Sequence, residues 1–376
     1  MSDKRKRIRT PFRKHHQSQT RRGDLTRDFQ QDRIDEEAPT SERVSGKGEL
    51  TRHRTVIGEP QAGDVSGLPV DLEVGDAEGM LGRVLCVHGL ASSVQGDDGR
   101  LYNCVTRGLL KMLSTTQRQT VAVGDRVWFR RVGEDEGAIQ RVEPRTNAVS
   151  RASRGRQHVI VANLDQALIV TSTCDPPLKA NLVDRFLVTA ELSRVRPIIC
   201  INKIDRVDPA DLQPLVGVYG QMGYTVLLVS AATGFGVDRL ARMMKDKESA
   251  LLGQSGVGKS SLLNAIEPDL KLRVGEVSRE TRKGSHTTTA AQLIPLAQGG
   301  FVVDTPGMRQ FQLWDIVPEE IAGCFRDLRP YVHLCRYPDC THTHEADCAV
   351  KDAVADGRLD ARRYESYCKM LSGDAD

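Results

Sequence analysis

The sequence contains no uninterrupted run of about 18 apolar residues, the length that a membrane-spanning helix requires. Its first ten residues, MSDKRKRIRT, also lack the apolar stretch of a secretory signal. No internal repeat of solenoid length is visible, which argues against a repeat architecture. We therefore expect a soluble, cytoplasmic protein without a membrane partner, whose 376 residues divide into two or three compact units.

The chain has few cysteines, and their number, nine, is odd, whereas a disulfide framework pairs an even number. Three of the nine lie together with histidines between Cys335 and Cys348, which favours metal binding over disulfide bonds. A reducing compartment fits this usage. The remaining cysteines are dispersed and are typical of ordinary core or surface thiols: Cys86, Cys104, Cys174, Cys200, Cys324 and Cys368.

Charge is nearly balanced over the whole chain, with a net value of +3, but residues 1–22 carry nine Lys or Arg against one Asp. Such a tail can neutralise the phosphates of a nucleic acid, in which case its binding weakens as salt is added. A solvated N-terminus without a partner has the same composition. Both interpretations of the tail stay open at this point.

Four segments differ in sequence texture. Residues 1–70 form a basic extension that is expected to lack a fixed fold. Residues 71–150 contain short β-rich runs between glycine and aspartate turns, which predict a small barrel of the OB-fold type, although any small β-barrel would show this pattern. In residues 151–315 strands alternate with helices, which predicts an α/β domain with a parallel sheet. Residues 316–376 combine a Cys/His cluster with helix-like stretches and predict a small α-rich metal-binding domain.

A phosphate-binding pattern, G-x4-G-K-[ST], spans residues 253–260 between an apolar run and a helix-like segment. Its glycines let backbone N–H groups point at a phosphate, and the start of the following helix adds positive charge. Lys259 is expected to bridge the β- and γ-phosphates, and Ser260 to ligate Mg²⁺. The predicted nucleotide contacts in this segment are Gly253, Gln254, Ser255, Gly256, Val257, Gly258, Lys259, Ser260 and Ser261.

A second acidic motif, DTPG, follows the short apolar strand at residues 301–303. Asp304 at a strand end can hold Mg²⁺, and Gly307 leaves its N–H free to face the γ-phosphate. The preceding segment, RETRKGSHTTTA, is too polar for a core and suits a loop that switches with the γ-phosphate. Within it, Thr288 is expected to offer its hydroxyl to the magnesium ion.

The tetrapeptide NKID, at residues 202–205, follows an apolar strand and lies where ligands of open α/β sheets bind. Asp205 can accept hydrogen bonds from both the ring N–H and the exocyclic amino group of guanine. Adenine lacks this donor pair, so the motif selects GTP over ATP. A P-loop ATPase is therefore a disfavoured interpretation of the chain.

Other residues are expected to complete the guanine site. Asn202 can steady the loop and reach the purine, and Lys203 can lie over the ring. After the next apolar strand, the backbone at Ser230 and Ala231 can donate an N–H to the guanine carbonyl. Taken alone, NKID also fits a polar helix start after a strand, but the nearby phosphate-binding loop favours the nucleotide interpretation.

The order of these motifs is reversed relative to ordinary GTPases, because the base-reading motif precedes the phosphate-binding loop. The domain is therefore predicted to be circularly permuted, which surface termini and loops allow. Five segments, NKID, SAATG, GQSGVGKSS, GSHTTTA and DTPGMRQFQLW, occur in an order and spacing that resemble the RsgA (YjeQ) family of bacterial small-ribosomal-subunit biogenesis GTPases. The resemblance spans roughly residues 79–371, and the N-terminal extension lies outside it.

What the resemblance implies is a chain of three domains: an OB-fold, a permuted P-loop GTPase domain and a zinc-binding domain. Family members act late in maturation of the small (30S) ribosomal subunit, and the subunit stimulates their GTP hydrolysis. We therefore expect this chain to bind the subunit and its rRNA in the GTP state and to leave in the GDP state. A monomer is expected.

Catalysis raises a problem, because the glutamine that usually positions the attacking water after the switch glycine is replaced by Met308. A thioether cannot orient water. The family resemblance points to His286 as the substitute, since a neutral imidazole can accept a proton from the attacking water. The alternative is a solvent-exposed loop histidine without a catalytic role.

The Cys/His cluster reads Cys335-x4-Cys340-x-His342-x5-Cys348 and supplies three thiolates and one imidazole. This ligand set suits a closed tetrahedral site for one structural Zn²⁺ per chain, and it also resembles the family's zinc motif. Such a site can contribute on the order of 10 kcal/mol to the folding of a module too small for its own core. The other expected ion is the Mg²⁺ that accompanies GTP.

Two functional hypotheses follow. In the first, the chain is a GTP hydrolase that the ribosomal subunit activates. In the second, GTP only orders the switch loop of an RNA-binding assembly placeholder, and hydrolysis is negligible because Met308 replaces the usual glutamine.

Overall fold

The computed structural model describes residues 6–13, 51–60, 70–72, 79–89, 91–106, 120–153, 156–272, 291–304 and 318–373. Three strands lie before the barrel: β1 (Lys6–Arg13), β2 (Thr51–Pro60) and β3 (Val70–Leu72). They pair antiparallel in the order β1-β2-β3. The extension was expected to lack a fixed fold, whereas these three segments pair as strands. A β-branched run, residues 55–57, favours a strand within the otherwise polar sequence of β2.

A closed barrel of five strands follows: β4 (Met80–His88), β5 (Ala91–Gly96), β6 (Leu101–Thr106), β7 (Arg126–Arg131) and β8 (Glu136–Val142). The strand order is β4-β5-β6-β8-β7, and β7 pairs back onto β4 to close the barrel. Neighbouring strands are antiparallel except β6 and β8, which are parallel. This connectivity is that of an OB-fold, and it confirms the predicted barrel.

Alternating side chains fill the barrel interior. Tyr102 and Cys104 on β6 are buried, whereas the residues on either side of each point outward. The Tyr102 ring packs against the buried ring of Phe129, with 5.1 Å between centroids. Gly82 is required where β4 meets this core, because an added Cβ would lie 2.8 Å from the carbonyl oxygen of Gln95.

A hairpin of β9 (Ala148–Ser153) and β10 (Arg156–Ala162) leads into the central domain. The central sheet has six strands: β11 (Gln166–Ser172), β12 (Arg196–Asn202), β13 (Thr225–Leu228), β14 (Glu248–Leu252), β15 (Gln292–Pro295) and β16 (Phe301–Asp304). Their order is β13-β12-β11-β14-β16-β15, and only the pairing of β15 with β16 is antiparallel. β11 and β14 are buried along their whole length, which agrees with their apolar sequences.

Four helices cover the two faces of this sheet: α1 (Ala180–Leu192), α2 (Gln213–Gln221), α3 (Val237–Met244) and α4 (Lys259–Ile266). α1 and α2 pack on one face through residues such as Phe186 and Tyr219. α3 and α4 pack on the other face through Leu240 and Leu262. Short 3₁₀ turns lie at Ile204–Arg206, Pro209–Leu212 and Pro268–Leu270.

The position of β14 shows how the permutation is built. β14 lies between β11, which precedes it in the chain, and β16, which follows it. The strands carrying the base-reading residues therefore lie on one side of β14, and the strands after the phosphate-binding loop lie on the other. A parallel sheet of this order places the carboxyl ends of β11, β12 and β14 at one edge.

The barrel and the central sheet are continuous, because β4 pairs antiparallel with β15 at Cys86 and Gln292. A second link joins Arg83 on β4 to Glu248, the first residue of β14. The Arg83 guanidinium also donates a hydrogen bond to the carbonyl of Gly124 at 2.7 Å. The barrel is thus held against the strand that leads into residues 253–260.

The C-terminal unit contains four short helices: α5 (Pro318–Cys324), α6 (Arg329–Val332), α7 (Ala349–Ala355) and α8 (Ala361–Ser372). Its apolar cluster includes Phe325 and Tyr367 and takes in Val188 from α1 of the central domain. α1 therefore serves both units. No helix in the described part of the chain is long and apolar enough to cross a membrane.

A buried charged network reinforces this contact. Arg363 on α8 donates to both carboxylate oxygens of Asp327 at 3.0 Å and also contacts Asp184 on α1. The hydroxyl of Tyr219 donates to the same Asp184 at 2.8 Å. Burial raises the pKa of Asp184, and the neighbouring Arg363 charge opposes that rise. Because the charges pair with one another, the network can lie between the units.

Candidate nucleotide site and metal centre

The loop between β14 and α4 has the glycine-rich backbone that a phosphate cradle needs. Gly253, Gly256 and Gly258 have φ values of 143°, 84° and 95°, in a region that residues with a side chain rarely adopt. An added Cβ at Gly253 would lie 2.1 Å from the Val170 carbonyl oxygen, and one at Gly258 would lie 2.3 Å from Asn202 Nδ2. These glycines therefore allow both the turn and its close packing against the neighbouring loops.

Lys259 begins α4 and folds its side chain back over this loop. Its ammonium group donates to the carbonyl of Gly253 at 2.7 Å and to that of Gln254 at 2.8 Å. Ser260 and Ser261 follow in the first turn of the same helix. The lysine charge and the start of α4 thus lie together at the loop, an arrangement that attracts phosphate oxygens.

Asn202 joins the base-reading segment to the phosphate-binding loop. It ends β12 and is buried, with only 2% of its surface exposed. Its side-chain nitrogen donates to the carbonyl of Val257 at 2.9 Å. Its side-chain oxygen accepts from the backbone N–H of Ala231 at 3.2 Å. One side chain thereby holds three predicted segments of the nucleotide site in register.

Asp205 is held by a serine of the next loop. The buried hydroxyl of Ser230 donates to Asp205 Oδ1 at 2.5 Å and accepts from the backbone N–H of Thr233 at 3.2 Å. The hydrogen bond from Ser230 lowers the pKa of Asp205. The Asp205 carboxylate is therefore charged at neutral pH, which is the state that accepts two hydrogen bonds from guanine.

Lys203 links two loops that the motifs alone do not connect. Its backbone has φ of 63°, and its ammonium group donates to the carbonyl of Gly256 at 3.0 Å and to the carbonyl of Asp175. The hydroxyl of Thr173 donates to the carbonyl of Lys203 at 2.8 Å. Pro176 lies against Gly256, where an added Cβ would be 3.4 Å from its ring.

The segment at residues 173–176 is thus part of the nucleotide edge, although no sequence motif identified it. A signal was present, because the polar sequence TCDP directly follows the fully buried strand β11. Strands β11 and β12 are parallel neighbours, and their carboxyl ends must lie side by side. That register alone predicts contact between residues 173–176 and Lys203.

The remaining predicted nucleotide residues are only partly covered by the structure. Asp304 is the last residue of β16, which runs parallel to β14, so its backbone lies at the same edge as the phosphate-binding loop. Thr288, Gly307, His286 and Met308 fall outside the described residues. Their roles stay predictions.

The four predicted metal ligands come together in the C-terminal unit. The ligand atoms of Cys335, Cys340, His342 and Cys348 all lie within 4.8 Å of one another. The sulfurs of Cys335 and Cys348 are 3.8 Å apart, and His342 Nδ1 lies 3.3 Å and 3.5 Å from them. A tetrahedral site with metal–sulfur bonds of about 2.3 Å requires sulfurs about 3.8 Å apart. The four side chains can therefore hold a metal ion.

The surroundings fix this cluster in place. His342 is buried, and its burial lowers the pKa of the imidazole, which favours the neutral form that binds metals. The hydroxyl of Tyr364 donates to the carbonyl of His342 at 2.7 Å. Glu345 accepts from the backbone N–H of Thr341 at 2.7 Å and from that of Thr343 at 3.0 Å. The loop that carries His342 is thus held by hydrogen bonds from both sides.

Comparison with known proteins identifies the family. A family model described as RsgA GTPase matches residues 142–314. A small ribosomal subunit biogenesis GTPase RsgA from Gemmatimonas aurantiaca is 41% identical over 282 residues, which cover 74% of this chain and 92% of the relative. This chain belongs to the RsgA family of GTPases. Membership makes it a GTP hydrolase and confirms the family resemblance that its motifs indicated.

Other RsgA relatives agree in extent. The protein of the same name from Thermotoga neapolitana is 39% identical over 294 residues, covering 77% of this chain and 95% of the relative. YjeQ from Thermotoga maritima has a TM-score of 0.66 at 35% identity, covering 78% of this chain and 98% of that structure. YloQ, described as a circularly permuted GTPase, has a TM-score of 0.63 at 30% identity, covering 80% and 97%. These RsgA-like structures support the permuted order seen in the sheet.

Proposed function

We propose that this chain is a GTPase of late small-subunit maturation, which binds the 30S ribosomal subunit in the GTP state and leaves after subunit-stimulated hydrolysis. The observation that carries the proposal is its extent of similarity to relatives of that printed name, which reaches 92% of the length of the Gemmatimonas aurantiaca protein. This chain also has the barrel, the nucleotide edge and the Cys/His cluster that such a role would use. A cytoplasmic monomer fits this role.

Guanine recognition is proposed to depend on Asp205, whose charged carboxylate accepts from the ring N–H and amino group of the base. Ser230 holds that carboxylate in position. The guanine carbonyl would accept a backbone N–H from the loop at Ser230 and Ala231, and the stem of Lys203 would support the ring. Because Asn202 ties these segments to the phosphate-binding loop, base and phosphates are bound by one connected unit.

Phosphate binding is proposed to use the backbone of residues 253–258 together with Lys259. The Lys259 ammonium, which lies at the carbonyls of Gly253 and Gln254, would contact the β- and γ-phosphate oxygens. Ser260, Thr288 and Asp304 would hold Mg²⁺, which neutralises the charge that develops on the phosphates. The N–H of Gly307 would face the γ-phosphate and sense its presence.

Hydrolysis is proposed to use His286 as the residue that orients the attacking water, because Met308 cannot do so. The segment between residues 273 and 290 leads directly into β15 at residue 292, and β15 pairs with the barrel strand β4. Binding of the barrel to the ribosomal subunit can therefore act on β15, which begins six residues after His286 in the sequence. This link supports activation by the subunit.

Ribosomal RNA is proposed to bind the barrel and the basic N-terminal tail. β7 presents exposed arginines at positions 126, 130 and 131, and β6 presents the exposed side chains of Leu101 and Val105. OB-folds bind nucleic acids through such cationic faces. The tail adds nine Lys or Arg within residues 1–22. Both features predict that binding weakens as salt is added.

The metal is proposed to be one structural Zn²⁺, because three thiolates and one imidazole at tetrahedral spacing favour this ion. The four side chains fill all four positions of a tetrahedral site, so no coordination position is left open for water or substrate. A closed site of this kind stabilises the C-terminal unit, whose helices are short.

The experiment is phosphate release from GTP by the full chain, with and without purified 30S subunits. A stimulation of at least about 10-fold, with His286→Ala losing the stimulated rate but keeping GTP affinity, is expected from the loss of a water-orienting group. Ser285→Ala in the same segment is the matched control and should keep the stimulated rate. If subunits bind but do not accelerate hydrolysis, the placeholder alternative replaces this proposal.

A further inference from the structure

Phe235 exposes its ring in the turn between β13 and α3, where 59% of the residue surface is accessible. The backbone of the turn is fixed: the Phe235 carbonyl accepts from the N–H of Ser230 at 2.9 Å, and its own N–H donates to the Thr233 hydroxyl at 3.4 Å. Gly236 has φ of 72°, and an added Cβ there would lie 2.4 Å from the Leu228 carbonyl oxygen. A rigid backbone therefore presents the ring.

The Phe235 ring is not part of the core that α3 forms. In a hydrophobic staple, the residue before the N-cap packs on the fourth residue of the helix. Gly236 is the N-cap here, so the pair would be Phe235 and Leu240. Leu240 is 2% exposed and belongs to the core with Val237 and Met244, whereas Phe235 is mostly exposed. An exposed aromatic ring on a fixed backbone can serve as a platform on which a nucleic-acid base stacks.

Basic side chains continue the surface along α3. Arg239 and Arg242 are exposed and three residues apart, so they lie on neighbouring turns of one helix face. In the region that the structure describes, neither forms an ion pair. Lys245 is exposed just after the helix, and Asp238 is the one acidic residue within α3. The helix therefore presents excess positive charge beside the Phe235 ring.

We propose that Phe235, Arg239 and Arg242 form a docking surface for an unpaired RNA segment, with a base stacked on Phe235 and backbone phosphates paired with the two guanidinium groups. RNA satisfies both features at once, because each nucleotide carries a π-face and a negative charge. An apolar protein segment would leave the arginines unpaired. This inference rests on the proposed function, which supplies ribosomal RNA as the source of the segment.

The surface borders the guanine site. Ser230 donates its backbone N–H to the carbonyl of Phe235 and its hydroxyl to Asp205, so one serine contacts both the turn that carries the ring and the carboxylate proposed to read the base. RNA docked here lies at the rim of the nucleotide site and not on the barrel. The central domain then binds the subunit through a surface of its own.

The test uses the full chain with magnesium and a non-hydrolysable GTP analogue, and two probes: a fluorescein-labelled 12-nucleotide oligouridine and purified 30S subunits. Phe235→Ala should weaken oligouridine binding about 10-fold, because base stacking on an aromatic ring is lost. Phe235→Tyr keeps a ring and should stay within about 2-fold of the parent. Arg239→Glu with Arg242→Glu should weaken binding and reduce the slope of log affinity against log salt by about 0.7 for each phosphate that is no longer neutralised.

Arg194→Glu is the matched charge control, because this exposed arginine lies just before the amino end of β12, on the opposite edge of the sheet. It should bind oligouridine and subunits like the parent. In Phe235→Trp, base stacking should quench the fluorescence of the introduced indole when oligouridine is added. The parent, titrated in parallel, corrects for the two native tryptophans.

Three results separate the outcomes. If the parent and both surface variants bind oligouridine and subunits equally, the surface is not an RNA site, although the proposed function stands. If Phe235→Ala weakens subunit binding while the arginine variant and the salt dependence are unchanged, a protein partner holds the ring and the RNA inference fails. If the parent binds no 30S subunits at all, the proposed function itself fails.

Discussion

Asn202 donates a hydrogen bond from Nδ2 to the carbonyl oxygen of Val257 at 2.9 Å, across 55 residues of sequence. The bond joins the end of β12 to the phosphate-binding loop. Gly258 leaves the space for it, since an added Cβ would lie 2.3 Å from the same nitrogen. Base-reading and phosphate-binding segments are therefore parts of one assembly.

Removing this link should weaken both the fold and nucleotide binding. Asn202→Ala deletes both side-chain hydrogen bonds of a buried residue, which should cost about 1–3 kcal/mol of unfolding free energy. Because the loops then lose their register, we also expect GDP affinity to fall at least about 10-fold. Urea unfolding and titration with a fluorescent GDP analogue measure the two effects.

Asn147 provides the matched control for Asn202. It also forms two side-chain hydrogen bonds to backbone, with the carbonyl and the N–H of Leu164 at 2.7 Å and 2.9 Å, but it lies before the central sheet. Asn147→Ala should lose similar stability and keep GDP affinity. Equal losses of GDP affinity in the two variants would show that Asn202 acts only through general stability.

Thr173 is predicted to be a positioning residue for the guanine site. Its hydroxyl holds the carbonyl of Lys203 at 2.8 Å, and Thr173→Val removes the bond with little change of shape. We expect GDP to bind about 3-fold to 10-fold more weakly, and Thr173→Ser to restore the affinity. Thr189→Val, which removes a hydroxyl bond to Arg185 within α1, should leave GDP affinity unchanged. Failure of the serine variant to restore binding would contradict the role of the hydroxyl.

Arg363 should contribute much more to stability than its neighbour Arg362. Arg363→Met leaves the carboxylates of Asp184 and Asp327 without their buried partner, which should cost about 3–5 kcal/mol. Arg362 is about half exposed and pairs with Asp360, so Arg362→Met should cost less than about 1 kcal/mol. Denaturant unfolding of the two variants checks the difference, and equal costs would exclude the buried network as a determinant of stability.

The metal centre is predicted to control the fold of the C-terminal unit. Cys348→Ser should reduce bound zinc from one per chain and increase amide exchange in α7 and α8, because a closed site loses one of its four ligands. Removal of the metal by a chelator should do the same. GDP binding by the central domain should persist.

Cys368→Ser is the control for this prediction, because Cys368 lies on α8 outside the four-residue cluster. The Cys368→Ser variant should retain one zinc per chain, and amide exchange in α7 and α8 should stay as slow as in the parent. If Cys348→Ser retains a full equivalent of zinc, the proposed ligand set is wrong.

The sequence was most informative where chemistry demands particular residues. The phosphate-binding loop requires glycines at positive φ, and guanine recognition requires a carboxylate, so both were visible as motifs. The reversed order of these motifs predicted the permutation that the strand order of the sheet shows. The barrel was visible as short β-rich runs between turns.

The sequence was less informative where contacts use backbone groups or distant partners. The Thr173 hydroxyl donates to the backbone carbonyl of Lys203, and the Lys203 ammonium donates to the backbone carbonyl of Asp175. Because every residue has a backbone carbonyl, these contacts do not require a particular residue type as the acceptor. Arg363 meets Asp184 across 179 residues, and no local pattern reveals such a pair. Parallel register and tertiary packing decide these contacts.

The most direct test of the account is calorimetric titration of the full chain with GDP and with ADP in the presence of magnesium. We predict that GDP binds at least about 100-fold more tightly, because two hydrogen bonds to a charged carboxylate together contribute about 3 kcal/mol or more. Asp205→Asn, which replaces one acceptor by a donor, should shift the preference toward xanthosine diphosphate. Equal affinity for GDP and ADP, or no binding of either, would contradict the guanine site on which the account depends.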